Sequence, residues 1–483
     1  MNTNANDLVQ KLWNLCSLLR EDGVTYHQYV AELAFVLFLK MEKETEKEAP
    51  NREVRLPEGY RWDDLARRDG MEQLRFYREL LLYLGTHGSP LVQDIYANAS
   101  TSLRHPKNLN ALVKALDTLD WYGGNRENLG DLYEGLLEKN ATEVKSGAGQ
   151  YFTPRPLVDA IIAIVKPQPG ETVQDPAAGT GGFLIAADRY VRAQTDNYFD
   201  LTEKQQEFQL RKAFYGVELV PETRRLALMN MALRGLQSKM ILGDTLSPVG
   251  RDLPRADIII TNPPFGTKKG GGKPERDDFT FPTSNKQLAF LEHVYRGLKP
   301  GGRAAIVVPD NVLFEENVGQ DIRADLMDKC DLHTVLRLPT GIFYAQGVKT
   351  NVLFFTRGLT DKGNTKAIWF YDMRTNAPAY GKRTPFLREH FADFEKAFGA
   401  DAFGKSRRKD QGAEGRFRKF TREEIKTRGD NLDVLWLKDE GQGNGDALPA
   451  PEVIAAEIRG QLQAAVAELD ALSILLDTKE PQA

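Results

Sequence analysis

Apolar positions along the chain change their period twice. From Asp7 to about Asn140 they recur every three or four residues, as in Leu8, Leu12, Leu15 and Leu19 and again in Tyr29, Leu33, Leu37 and Met41. That spacing is one stripe of an amphipathic helix, so residues 1–140 are expected to form a helical N-terminal domain whose stripes are core. From roughly Gln150 to Gly358 short β-branched runs alternate with helical segments: Thr172-Val-Gln, Ala213-Phe-Tyr-Gly-Val, Ile258-Ile-Ile, Ala304-Ala-Ile-Val-Val and Val352-Leu-Phe-Phe. Such alternation predicts an α/β domain over 141–400, with a doubly wound, mostly parallel sheet and helices on both faces. The stretch 401–450 reads as a basic linker, because Lys405, Arg407, Arg408, Lys409, Arg416, Arg418, Lys419 and Arg422 crowd together; a phosphate-contacting surface is the alternative. In 451–483, Val453, Ile454, Ile458, Leu462, Val466, Leu469 and Leu472 form the stripe of a last helix. The Gly-rich Gly441-Gln-Gly-Asn-Gly segment before it favours docking on a partner over packing on the chain's own core.

Composition narrows the class. With 41% hydrophobic and 27% charged residues the 483-residue chain is globular. The longest apolar runs, such as Ala34 to Leu39, are too short for a membrane span, and the first residues lack a signal-peptide pattern, so a cytoplasmic protein is expected. Two cysteines, Cys16 and Cys330, and six histidines without ligand spacing give no reason to expect a metal. A net charge of −4 leaves nucleic-acid binding to local basic patches.

The candidate chemistry lies in the α/β region. Asp175-Pro-Ala-Ala-Gly-Thr-Gly-Gly-Phe183 follows a predicted strand and precedes a helix, so Gly179, Gly181 and Gly182 allow the backbone to turn sharply against a ligand. It lacks the G-x-G-x-x-G spacing, and Lys273 is followed by Pro274, which excludes a dinucleotide fingerprint and a phosphate-gripping P-loop. Glu218 ends the next strand, where doubly wound sheets bind a ribose diol. Asp244 is either an acceptor for an adenine amino group or an ordinary turn Asp. Taken in order, these residues suggest a cofactor with ribose and adenine parts. The sharpest signal is Asn262-Pro263-Pro264-Phe265 after Asp257-Ile-Ile-Ile-Thr. Two prolines stiffen the loop and remove two N–H donors, so it presents acceptors: the Asn262 side-chain oxygen and the Pro263 carbonyl can both receive an aromatic amino group, with Phe265 stacking on its ring.

In this order, together with Gly149-Gln150-Tyr151-Phe152-Thr153-Pro154-Arg155 upstream, these motifs resemble amino-group DNA methyltransferases, and in particular the methylation subunit of type I restriction-modification systems. The resemblance covers nearly the whole chain. It implies a Rossmann-like class I methyltransferase domain and N6-adenine methylation with S-adenosylmethionine as cofactor. It places Gln150 to Arg155, Thr180, Gly181, Gly182, Glu218 and Asp244 at that cofactor, with Asp175 on its methionine amino group or a bridging water. Asn262 to Phe265 would hold an adenine flipped out of double-stranded DNA. It further implies a separate specificity subunit flanked by two methylation subunits, and a restriction subunit in the nuclease form.

Little sequence is left over for a groove-reading domain, which agrees with target choice residing in another chain. The loop Gly266 to Arg276 is expected to act as a mobile basic flap over the DNA. Competing readings are methylation of protein glutamine, disfavoured by length; N4-cytosine methylation, disfavoured by Asn262 where Ser is usual; and an inactive binding module, disfavoured by the intact motifs. Neither cysteine sits in a Pro-Cys motif, which counts against C5-cytosine methylation.

Overall fold

Runs such as Ile258-Ile259-Ile260 and Ala304 to Val308 are apolar at every position, a pattern that suits strands covered on both faces rather than one. In the computed structural model these runs are central strands, with Ile258, Ile259 and Ile260 wholly buried. The structure describes residues 10, 13–14, 26–48, 56–118, 133–138, 153–266, 274–343, 348–378, 380–381 and 384–437. The helix expected over 451–483 lies outside them.

Among the described residues nine strands form one sheet: β1 (Val173–Asp175), β2 (Phe214–Glu218), β3 (Lys239–Leu242), β4 (Ala256–Thr261), β5 (Leu298–Pro309), β6 (Cys330–Arg337), β7 (Thr350–Arg357), β8 (Ala367–Asp372) and β9 (Phe417–Thr421). Their order is β3-β2-β1-β4-β5-β7-β6-β8-β9. β1 pairs in parallel with β2 and β4, and β4 with β5, whereas β7 runs antiparallel between β5 and β6. The expected doubly wound, mostly parallel sheet is therefore present, with a reversed strand inside it.

Alternation along β5 shows how both faces are filled. Ala304, Ile306 and Val308 join one core with Leu288, Leu291, Val294 and Tyr295 of helix Lys286–Gly297 and Ile322, Leu326 and Met327 of helix Val318–Lys329. Ala305 and Val307 are equally buried but point the other way, where helix Arg155–Val165 contacts β5 and packs on helix Gly182–Gln194.

The contacts of the chain separate two units, one comprising Met1–Phe152, Gly179–Gly181 and Val220–Met240, the other Thr153–Ala178, Gly182–Leu219 and Ile241–Ala483. The first is helical, as the apolar period predicts. Its helix Tyr26–Glu48 carries Glu32, which accepts from Tyr77 Oη (3.3 Å), Thr101 Oγ1 (3.0 Å) and the Ser102 N–H. Helix Pro221–Leu233, from the middle of the sequence, packs on helices Tyr26–Glu48 and Pro90–Tyr96. There Arg224 pairs with Asp94 at 2.7 Å, and Arg225 donates to the Ala97 carbonyl at 2.7 Å with its guanidinium over Phe35.

The Lys- and Arg-rich stretch is structured rather than a linker up to residue 437. It contributes β9, antiparallel to β8, and helix Arg422–Thr427. Half of its cations are held internally: Arg408 lies over Phe398 and donates to Thr334 Oγ1 (2.9 Å), Arg416 donates to the Asp372 carbonyl (2.9 Å), Arg418 lies over Phe420 and Arg422 pairs with Asp430, whereas Lys405, Arg407, Lys409 and Lys419 are exposed. A charge run looks solvated in sequence; here aromatic faces and backbone acceptors take up half of it.

Beyond the end of β5 the carboxylate of Asp310 takes two hydrogen bonds from Arg374 (2.8 and 2.9 Å) and one from Asn351 Nδ2 (2.8 Å). Burial pushes its pKa up, but Arg374 and Asn351 more than reverse this and hold it below the ordinary range. Replacing Arg374 by Met strands this charge and is expected to cost about 3–5 kcal/mol, read as a lower thermal unfolding temperature. The double variant Asp310→Leu/Arg374→Met should recover most of that loss; no recovery would show that packing, not the stranded charge, causes it.

Candidate active site

Every parallel strand of the first half delivers its C-terminal residue to the same sheet edge, and the candidate residues cluster there. β1 ends on Asp175, which is 1% exposed and whose Oδ1 accepts from the Ala177 N–H at 3.1 Å. Burial pushes the Asp175 carboxyl up to about 7; the Glu218 charge adds to the rise, and the Thr261 hydroxyl and Ala177 N–H oppose it. The loop that follows turns through Gly179 (φ +55°) and Gly181 (φ +82°), conformations that favour glycine. Within the helical unit Asn230 Nδ2 donates to the Thr180 carbonyl at 3.2 Å. A Cβ on Gly182 would meet nothing within 4 Å, so the start of the next helix leaves room for a ligand to approach the backbone.

β2 ends on Glu218, 6% exposed, whose carbonyl accepts from the Gly243 N–H at 3.0 Å and so brings the Asp244 turn alongside. Asp244 Oδ1 accepts from the Leu246 N–H (2.8 Å) and its carbonyl from the Ser247 N–H (3.0 Å). Of the two readings open for Asp244, the turn is what the geometry displays. The Thr245 hydroxyl donates to the Pro176 carbonyl, which ties this loop to the one after β1.

β4 ends on Thr261, and Asn262 follows at the edge. Asn262 Nδ2 donates to Thr153 Oγ1 at 3.1 Å, joining residues 109 apart in sequence. The bond anchors the Asn262 side chain; a hydroxyl donates as readily as it accepts, so the contact is compatible with either end of the amide. Asn262 Oδ1 is buried, yet no described residue donates to it. An unfilled acceptor inside a protein costs about 1–3 kcal/mol, and this one beside the rigid Pro263-Pro264 turn is open to a donor from beyond the described residues. Pro263 is buried, and Pro264 and Phe265 are half-buried.

Of the upstream motif, Thr153 meets Asn262, Pro154 is buried ahead of helix Arg155–Val165, and Arg155 is its half-buried first residue. Gln150, Tyr151 and Phe152 lie outside the described residues, as do 267–273 of the expected flap. The Arg276 side chain at the end of that loop is buried. It pairs with Asp278 (2.5 Å), stacks on Phe279, donates to the Thr245 carbonyl (3.1 Å) and contacts His293 Nδ1 (2.8 Å). An arginine can only donate, so His293 Nδ1 is the acceptor and its proton sits on Nε2. Burial and the Arg276 charge hold that imidazole neutral, its pKa near 3. Arg276 and His293 escaped the sequence reading because neither belongs to a local motif.

Two family models divide the chain between them: an HsdM N-terminal domain over residues 8–118 and an N-6 DNA methylase over 124–439. The EcoKI methylase subunit of Escherichia coli K12 is 54% identical, the match spanning 97% of this chain and 95% of the relative, and the StySPI methylase subunit of Salmonella potsdam is equally similar. The chain belongs to the type I restriction-enzyme methylase subunits. It is accordingly an N6-adenine DNA methyltransferase. The crystal structure of the EcoKI M protein matches at 50% identity and a TM-score of 0.58, covering 97% of this chain and 96% of that one. A modification subunit of a putative type I restriction enzyme from Vibrio vulnificus matches at 26% identity and a TM-score of 0.72, covering 90% and 97%. Among the described residues no helix is long and apolar enough to cross a membrane.

The position of Asp175 makes a pH test. Its folded-state pKa lies above the unfolded value of about 3.9, so the folded protein holds the extra proton, and stability from this residue falls as pH rises from about 4 to 7 and then levels. The unfolding temperature of the wild type minus that of Asp175→Asn should fall between about pH 5 and 7 and be flat above about pH 7.5. A flat difference throughout would show that the carboxyl titrates as an exposed one.

Proposed function

We propose that this methylase subunit binds S-adenosylmethionine along the loops after β1, β2 and β3 and transfers its methyl group to N6 of an adenine flipped out of double-stranded DNA. The observation that carries the reading is Asn262, anchored on Thr153, with a buried Oδ1 to which no described residue donates. Bound cofactor supplies a methyl already activated on sulfonium, so no enzyme nucleophile is required.

The residues present fit that cofactor. Asp175, raised by burial, gains most from a cationic partner and suits the methionine ammonium. Thr180, Gly181 and Gly182 offer backbone to its methionine end, and Glu218 at the end of β2 suits the ribose diol. Asp244 remains a cofactor contact in this reading through its turn, and Gln150 to Arg155 complete the set.

For the target base, Asn262 Oδ1 and the Pro263 carbonyl accept the two amino hydrogens, which draws the nitrogen lone pair out of the ring and toward the methyl. The same two oxygens face the positive charge that grows on the nitrogen. Thr153 anchors the Asn262 side chain beside the base, and Phe265 stacks on it. Pro264 keeps the loop stiff.

Sequence choice is assigned to a separate specificity subunit, flanked by two copies of this chain through residues that include 451–483, with a restriction subunit joining for cleavage. The complex works on cytoplasmic DNA. Domain limits of 1–140, 141–400, 401–450 and 451–483 go with this reading, the third contributing β9 to the sheet.

Co-expression with a specificity subunit, followed by single-molecule sequencing of host DNA, should reveal N6-methyladenine at one defined sequence. Asn262→Ala should lower transfer by about 10²–10³-fold. Methylated adenine at undiminished level in that variant would refute the role of Asn262, and no modified adenine from the intact complex would refute the reading.

A further inference from the structure

Downstream of Phe265 the chain does not simply leave the site. Gly266, at φ +110°, is gripped by the start of helix Lys286–Gly297. With its amide turned to match donors and acceptors, Gln287 accepts from the Gly266 N–H at 2.7 Å and donates back to the Gly266 carbonyl at 3.2 Å. One side-chain amide thus pairs with both polar groups of a single residue. The Lys286 N–H reaches the same carbonyl at 3.4 Å. Gln287 is 6% exposed and donates as well to the Asn285 side-chain oxygen.

Asn285 holds Gln287 in turn. Its Oδ1 accepts from the Gln287 and Leu288 N–H groups (3.0 and 3.3 Å), capping the helix, and its Nδ2 donates to Glu315 Oε2 at 2.7 Å. Asn311 Nδ2 donates to the same carboxylate oxygen at 3.2 Å. A chain from half-buried Glu315 through buried Asn285 and Gln287 therefore ends on the residue next to Phe265. Asn262 is fixed from one side by Thr153, and Gly266 from the other by Gln287, so the four residues between β4 and Gly266 are held at both ends.

We infer that Gln287 is a positioning residue for methyl transfer: by clamping the Gly266 peptide groups it sets where Phe265 and the Pro263 carbonyl meet the target base. The inference rests on the reading of Asn262 to Phe265 given above. Gln287 touches neither base nor cofactor, so its loss should act on the transfer step and leave both binding steps alone. Methionine in its place keeps the volume and removes both hydrogen bonds. Glutamate keeps the acceptor but faces the Gly266 carbonyl with a second acceptor, so it should fare no better.

The test uses the complex with its specificity subunit and a duplex carrying 2-aminopurine or adenine at the target. For Gln287→Met the single-turnover rate should fall about 10- to 100-fold, as expected for small misplacement of a reacting group. Affinities for S-adenosylmethionine and for DNA should stay within about twofold. 2-Aminopurine fluorescence on binding, which reports how the flipped base is stacked, should change. Combined with Phe265→Ala, Gln287→Met should add little further loss, because both act through one contact. An unchanged rate and fluorescence, or additive losses, would overturn the inference. So would parallel falls in cofactor affinity and unfolding temperature that account for the whole rate effect. Failure of the wild-type complex to methylate adenine is the separate result that removes the underlying reading, and this inference with it.

Discussion

The parallel pairing of β4 beside β1 is the constraint on which the rest of the site depends. Val173 opposite Ile258 and Gln174 opposite Ile259 bring the ends of the two strands to one edge, so Asp175 and Asn262 leave the sheet together. Both strands are buried on both faces, and a slip of one residue would carry every side chain to the opposite face. Neither the carboxylate nor the amide would then stand at the edge. The wall of apolar side chains is thus what allows two polar groups to be placed with little freedom.

Around the Asn262 turn the protein uses side-chain amides to fix geometry. Asn262 is anchored on Thr153, Asn230 reaches the Thr180 carbonyl, and Gln287 holds Gly266. An amide donates and accepts at once, so it can grip a peptide without leaving a net charge beside a base that must become cationic during the reaction. Ion pairs brace the surroundings, Arg276 with Asp278 behind the Thr245 loop and Arg374 with Asp310 beyond β5.

What could be read in the sequence follows from how local each signal is. Ile258 to Phe265 announced themselves because a continuous apolar run ending in Asn-Pro-Pro has few other meanings. Gly179 and Gly181 were legible for the same reason, and both adopt positive φ. Asp244 was ambiguous in sequence, since a short carboxylate after Gly243 serves a turn as well as a ligand. The basic stretch was misread because Phe417 and Phe420 within it look minor beside eight cations, yet those rings and the strand they define decide its fate. Gln287, Arg276 and His293 were invisible, because each matters through a partner 17 to 31 residues away that the fold brings near.

The helical unit is not contiguous in the chain: helix Pro221–Leu233 belongs to it, although the first strands of the sheet are made before that helix. During synthesis the N-terminal helices therefore emerge while the helix that covers Phe35 and Tyr96 is still unmade. At about 5–20 residues per second the interval between Phe152 and Met240 is roughly 4–18 s. Until it ends, the nascent chain exposes an apolar surface to chaperones and proteases, and a ribosome that stalls between those residues releases a fragment which cannot complete even its first unit.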